Sequence, residues 1–175
     1  MTLEFAPTLP RLRRRARRDL RGEELTYERV VACGLLLLDL GFFRIGSESY
    51  AEQNGSYGLA TMLKEHVRLE RDQLVFDYEG KGGRRRVQAI ADPAVRAVVA
   101  QCKRRRYGGE RLLAYRNGRR WVELRSNDLN DRIKEVTGGG FSAKDFRTWN
   151  ASVLAAVSVA VLGAEAETTG AMYGF

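Results

Sequence analysis

Three cations in this chain have neighbours able to hold them in fixed directions. Arg44 follows the apolar run Gly41-Phe42-Phe43, where an apolar helix opens into a glycine-rich loop. Arg147 lies between Phe146 and Trp149 in the second turn of a helix expected to pack in the core, so its guanidinium leaves the core in a defined direction. Lys81 stands between Gly80 and Gly82 at the tip of a strand turn and can reach away from a sheet. Taken singly, such an Arg is usually tied to a carboxylate and such a Lys is usually solvated. Together they suit phosphoryl transfer at a phosphodiester. Its transition state gathers negative charge on the nonbridging oxygens, which forked guanidiniums on two sides stabilise, and the leaving 5′ oxygen takes a proton that a Lys can give. The sequence offers no carboxylate cluster for magnesium, no cysteine pair in metal spacing and one histidine, His66. The expected chemistry therefore uses neither metal nor cofactor.

The elements that must carry these residues can be read from periodicity and caps. Thr8 is placed to cap a helix through Leu20, with Arg11, Arg14, Arg15 and Arg18 on one basic face. Thr26 is placed to cap an apolar helix ending at Gly41. Residues 44–58, with three glycines, read as a loop leading to a short helix near Leu59 to Leu63. From His66 the pattern alternates through Val67, Leu69, Leu74, Phe76, Tyr78, Val87 and Ile90, predicting a three-stranded antiparallel sheet. Asp92-Pro93 starts a helix ending in the basic run Lys103 to Arg106, and Asn117-Gly118 marks a hairpin turn. Ser126 can cap a further helix that Gly138-Gly139-Gly140 ends. Ser142 and Asp145 form an acidic capping box for the helix carrying Phe146, Trp149, Val153, Leu154, Val157 and Val161. The expected fold is α+β, mostly helical with a small antiparallel sheet. Residues 1–162 form its core, and 163–175 are a tail with little to hold it.

With 175 residues, the chain has the size of one domain. Of its 30 cations 25 are Arg, against 22 acids, for a net charge of +8. The charge is uneven: +5 over residues 1–21, −5 over 22–83, +10 over 84–125, zero over 126–150 and −2 over 151–175. Blocks of Arg separated by an acidic stretch suit a folded body with a basic face for a polyanion. The run Val31 to Phe43 is broken by Gly34, Asp39 and Gly41, so no stretch reaches ~18 consecutive apolar residues and a membrane protein is not expected. The start lacks a basic head followed by an apolar run, which argues for the cytosol. Cys33 and Cys102 read as small buried hydrophobes, and His66 as structural.

The segments Leu38-Asp39-Leu40-Gly41-Phe42-Phe43-Arg44-Ile45-Gly46-Ser47-Glu48-Ser49-Tyr50 and Asn54-Gly55-Ser56-Tyr57-Gly58-Leu59 resemble the first catalytic segment of bacterial and poxvirus-like type IB DNA topoisomerases. Gly80-Lys81-Gly82 resembles the family's lysine hairpin, and Ser142-Ala143-Lys144-Asp145-Phe146-Arg147-Thr148-Trp149 its second arginine segment. The resemblance implies the fold of the tyrosine recombinase and type IB topoisomerase catalytic core. It also implies an enzyme that cuts one strand of duplex DNA through a 3′-phosphotyrosyl link and reseals it without ATP or metal. By that likeness Arg44 and Arg147 clamp the scissile phosphate, Lys81 is the general acid, and Tyr50 and Lys144 contact the DNA backbone. A packed aromatic at a loop end is the other reading of Tyr50. The implied partner is duplex DNA at the nucleoid, with no small-molecule substrate and a monomeric protein. Tyrosine recombinases share this chemistry but carry His-x-x-Arg, where this chain has Lys144-Asp145-Phe146-Arg147. Only 28 residues follow Arg147, and Tyr173 is the sole tyrosine among them. The chain is therefore expected to stop short of the family's nucleophile helix, which leaves a non-cleaving DNA-binding remnant as the alternative function.

Overall fold

Helix α3 (Tyr27–Leu40) is apolar on all sides, so it can be stable only at the centre of the molecule. The computed structural model, which describes residues 2–172 and the side chains of residues 3–165, places it there. Thr26 caps it as expected, its Oγ1 accepting the Arg29 N–H at 3.2 Å. Around α3 pack α2 (Leu9–Asp19), α5 (Pro93–Arg104), α6 (Ser126–Thr137) and α7 (Ala143–Met172). Gly34 permits the contact with α6, since a Cβ there would lie 2.7 Å from Leu129 Cδ2. Asp92 caps α5 by accepting the Val95 N–H at 3.0 Å.

Strands β1 (Val67–Leu69), β2 (Leu74–Gly80) and β3 (Arg84–Ile90) form the expected antiparallel sheet in that order. A separate hairpin, β4 (Ala114–Asn117) and β5 (Arg120–Glu123), lies against α3. The architecture is the predicted α+β one, mostly helical with small antiparallel sheets.

Several local expectations are corrected. Thr8 is not a cap: the chain is already helical from α1 (Thr2–Phe5) through a 3-10 turn, Ala6–Thr8, and the Thr8 hydroxyl donates back to the Phe5 carbonyl at 2.7 Å. Phe5 is the cause, being fully buried between Phe141 and Phe146 with ring centroids at 5.3 and 5.0 Å. The supposed loop 44–58 contains a two-turn helix, α4 (Glu48–Asn54), which buries no residue and so leaves no apolar period to read. Ser126 lies inside α6, where Asp128 accepts the Arg125 N–H instead. In the β4–β5 hairpin Asn117 pairs with Arg120, so the turn residues are Gly118 and Arg119. Val87 is exposed, because a side chain three residues from the buried Ile90 must face the other side of a strand.

The largest correction concerns α7. Its first turns are docked, but beyond Asn150 the described side chains are exposed, including Val153, Leu154, Val157 and Val161, which the sequence pattern assigns to the core. The helix also runs past the expected end near 162, to Met172. Ala143–Glu165 is long and apolar enough to cross a membrane by length and composition alone, with mean hydropathy 1.3. Ser152 and Ser158 interrupt its apolar runs without lowering that average enough to matter, which a count of consecutive residues misses.

Candidate active site

Arg44 leaves the C-terminus of α3 on a strand-like segment held from both sides. Phe43 is fully buried edge-on against Phe76 of β2, with centroids 4.9 Å apart. The Phe42 N–H donates to Gln88 Oε1 of β3 at 2.7 Å. The carbonyls of Arg44 and Ile45 accept the N–H groups of Leu59 and Ala60 at 2.7 and 2.8 Å. The returning chain, which enters a 3-10 turn at Leu59–Thr61, crosses so close that a Cβ on Gly58 would sit 2.4 Å from the Gly46 backbone, and Gly46 itself has φ +80°. The glycines thus bring the two backbones together and leave Arg44 projecting from a rigid corner.

Arg147 is fixed from α7. Asp145 accepts the Ser142 N–H at 2.8 Å in the predicted capping box, and Asn130 of α6 accepts the Ala143 N–H at 3.0 Å. Phe146 is buried on the next position. One turn after Arg147 the Asn150 amide nitrogen reaches the carbonyls of Leu38, Asp39 and Gly41 at 3.1, 3.2 and 2.9 Å. These are the carbonyls at the end of α3. A single side chain therefore joins the helix carrying Arg147 to the corner carrying Arg44.

Lys81 is exposed on a three-residue loop, closed by the Gly83 N–H donating to the Gly80 carbonyl at 3.1 Å, with Gly82 and Gly83 at φ +79° and +69°. All five residues singled out in the sequence, Arg44, Tyr50, Lys81, Lys144 and Arg147, line one cavity of about 310 Å³. Tyr50 comes from α4 and is 38% exposed, so it is not a packed core aromatic. Arg44, Lys81 and Arg147 also border a neighbouring cavity of about 220 Å³, together with Tyr57, Tyr78 and Arg86.

Electrostatically the site is a concentration of unneutralised positive charge. Burial lowers the Arg147 pKa, and the nearby guanidiniums of Arg44 and Arg86 lower it further. Burial raises the pKa of Tyr78, with the Gln88 hydrogen bond and the three guanidiniums acting against it. Among the described residues no carboxylate forms an ion pair with Arg44, Arg86 or Arg147. Elsewhere the chain neutralises its arginines, as in the two-pronged pairs Arg13–Asp39 and Arg17–Asp92. Guanidiniums gathered without an acid form a receptor for an oxyanion such as phosphate.

The family model described as eukaryotic DNA topoisomerase I, catalytic core, matches residues 1–172. The chain belongs to this family. It is 28% identical over 155 residues to DNA topoisomerase 1B of Acanthamoeba polyphaga mimivirus, covering 86% of this chain and 46% of the relative. It is 32% identical over 143 residues to DNA topoisomerase 1 of Schizosaccharomyces pombe, covering 81% of this chain and 16% of the relative. A third relative, DNA topoisomerase 1 of Daucus carota, is 29% identical over 128 residues, or 72% of this chain and 15% of its own length. The chain thus spans less than half the length of each.

Within this topoisomerase fold, sequence reasoning missed Arg86, Tyr57, Tyr78 and Asn150. Arg86 is hidden in the run Arg84-Arg85-Arg86, yet strand parity distinguishes it. Gly80 pairs with Arg84, so Arg86 pairs with Tyr78 and shares its face, while Arg85 turns the other way to grip Asp77 at 2.8 and 2.6 Å. Gly80 clears the way for the Arg86 stem, since a Cβ there would lie 3.0 Å from Arg86 Cγ. His66 is a support: its Nδ1 accepts the Leu63 N–H at 3.0 Å, and its ring packs edge-on to Tyr57 at 4.5 Å. Cys33 and Cys102 are buried as expected, and burial pushes the Cys102 thiol up to about 11 and the Cys33 thiol well above its usual value, keeping both protonated. Tyr173 lies outside the described residues.

Proposed function

We propose that this chain is the DNA-cutting core of a type IB topoisomerase, which opens and reseals one strand of duplex DNA through a 3′-phosphotyrosyl intermediate and relaxes supercoils. The observation that carries the reading is that Arg44, Lys81 and Arg147, from three separate parts of the chain, line one cavity, and among the described residues no carboxylate is paired to either arginine. In this reading the scissile phosphate lies between the two guanidiniums, whose fixed N–H groups match the charge that builds on the nonbridging oxygens. Lys81, exposed at the tip of the turn between β2 and β3, donates a proton to the leaving 5′ oxygen. Tyr50 and Lys144 hold the backbone beside the cut. ATP does not enter the cycle, because the energy of the broken phosphodiester is kept in the phosphotyrosyl ester, and the two guanidiniums with Lys81 fill the charge-stabilising and proton-donating roles a metal would otherwise take. The protein acts as a monomer at the nucleoid.

The test is a metal-free relaxation assay with trapping of covalent DNA adducts, run on the chain and on Arg44→Ala, Lys81→Ala, Arg147→Ala and Tyr173→Phe variants. The expected result is duplex binding without relaxation by the chain alone. Relaxation should appear when the chain is extended with the family's nucleophile helix, and each Arg or Lys variant of that extended form should lose it. Relaxation by the chain itself that Tyr173→Phe abolishes would make Tyr173 the nucleophile. Relaxation that survives loss of Arg44 and Arg147 would refute the proposed site.

A further inference from the structure

Beside the candidate active site, β2 carries a polar group whose hydrogen-bonding capacity is only half used. Gln88 of β3 spans the gap between the corner bearing Arg44 and Tyr78 of β2. Its Oε1 accepts the Phe42 N–H at 2.7 Å, which fixes the amide, and its Nε2 therefore faces the Tyr78 hydroxyl at 3.1 Å. An amide nitrogen can only donate, so the Tyr78 oxygen is the acceptor of that bond and its own O–H proton must be given elsewhere. Among the described residues nothing takes it. The direction of the hydroxyl is set by the ring, which stacks on Phe43 with centroids 6.3 Å apart and planes 18° apart. Tyr78 is 6% exposed, and a buried O–H without an acceptor costs stability.

The groups around that proton are all donors. The cavity of about 220 Å³ that Tyr78 lines is bordered also by Arg44, Lys81, Arg86 and Arg147. Among the described residues none of these four cations donates a hydrogen bond to a carbonyl or a carboxylate. The three guanidiniums are close enough to pull the Tyr78 pKa down, but burial outweighs them and raises it, so at neutral pH the group is an O–H and not a phenolate. A hydroxyl and three guanidiniums that converge without an acceptor select a ligand with several anionic oxygens, and a phosphodiester offers two nonbridging ones. Tyr57 borders the same cavity, yet its hydroxyl has no hydrogen bond among the described residues and so no set direction.

We propose that Tyr78 is a further substrate-contacting residue: its hydroxyl, turned by Gln88, donates to a nonbridging oxygen of the phosphate that Arg44 and Arg147 hold. The inference rests on the phosphodiester reading of the site given above. Gln88 is the positioning residue, because one amide ties the hydroxyl to the Phe42 N–H beside Arg44. A neutral donor adds direction to the site without adding to the mutual repulsion of its guanidiniums.

The experiment measures binding of one labelled DNA duplex to the chain by fluorescence anisotropy over a range of salt concentrations. The wild type is compared with Tyr78→Phe, with Arg44→Ala/Arg147→Ala and with the triple variant that combines them. Tyr78→Phe keeps the ring against Phe43 and is expected to weaken binding roughly tenfold at every salt concentration, the scale of one hydrogen bond to a charged group. Its slope of log affinity against log salt should equal that of the wild type, because a neutral hydroxyl releases no counterion. In the Arg44→Ala/Arg147→Ala background the same change should cost little, since the phosphate is no longer held there. Wild-type affinity in Tyr78→Phe, with or without a lower thermal unfolding midpoint, overturns the proposal. So does a reduced slope in that variant, which would trace the loss to a displaced guanidinium, and so does an undiminished loss in the triple variant. Wild-type binding by Arg44→Ala/Arg147→Ala would sink the phosphodiester reading and this inference with it. Weakened binding there beside unchanged binding by Tyr78→Phe would sink this inference alone.

Discussion

Arg147 is held where its charge is unwelcome: burial and two neighbouring guanidiniums all disfavour the protonated form, and among the described residues no acid offsets them with an ion pair. A residue in that position costs stability unless an anion is bound, so stability and phosphate binding should respond in opposite directions to its removal. Arg147→Gln is expected to leave the unfolding midpoint unchanged or raised while weakening duplex binding by roughly tenfold, about 1.4 kcal/mol. A drop in midpoint on calorimetry would show that Arg147 is held by partners other than those described. His66 makes the opposite kind of statement. Its Nδ1 accepts a backbone N–H and burial lowers its pKa, so the folded state favours the neutral ring. The unfolded chain, with a His pKa near about 6.5, takes up the proton first as pH falls. The stability contributed by His66 is therefore complete above about pH 6.5 and is lost as pH drops through that value toward the folded-state pKa. Thermal midpoints measured between neutral and mildly acid pH should fall in the wild-type chain and fall less in His66→Gln, which keeps an acceptor but cannot titrate.

At the scale of elements, α7 is two different helices joined end to end. Its first two turns are tied to the body by Phe146, by the Ser142–Asp145 cap and by Asn150 on the α3 carbonyls. The following turns are apolar but exposed. Phe146→Ala should therefore cost about 3–5 kcal/mol, the usual loss for a buried aromatic. Leu154→Ser should change stability by no more than about 0.5 kcal/mol, as at other surface positions. Denaturant unfolding of both variants checks the contrast, and a large loss in Leu154→Ser would mean that the distal turns are covered in solution. The same helix shows what a sequence can reveal. Periodicity correctly located α7, because apolar spacing and a capping box are local signals. It could not say where burial ends, because an apolar face reads the same whether or not something packs on it. The three-stranded sheet was legible from its alternation and turn residues, and the meeting of Arg44, Lys81 and Arg147 at one cavity from their apolar or glycine flanks and the family resemblance. Arg86 and Asn150 were not, since their roles arise from a strand pairing and from a contact across 112 positions to Leu38. Helix α4 was invisible for the converse reason, having no buried side at all.

For the whole molecule, the count of 30 cations overstates what is available to a polyanion, because many arginines are already committed to carboxylates. The salt dependence of binding should follow the free guanidiniums alone. Each phosphate that a cation neutralises releases a counterion and contributes roughly −0.9 to the slope of log affinity against log salt. Arg44→Ala should thus reduce the magnitude of the slope by about 1, as expected for a side chain in direct phosphate contact. The pair Arg85→Ala/Asp77→Ala removes a two-pronged ion pair and leaves the net charge unchanged. That double variant should bind duplex DNA with the wild-type slope, although it too deletes an exposed arginine of the basic block 84–125. Titrations of one duplex over a range of salt concentrations supply both slopes. Equal reductions in the two variants would mean that DNA senses the count of arginines and not their freedom. An unchanged slope in Arg44→Ala would show that the corner carrying Arg44, however rigid, does not meet the backbone at all.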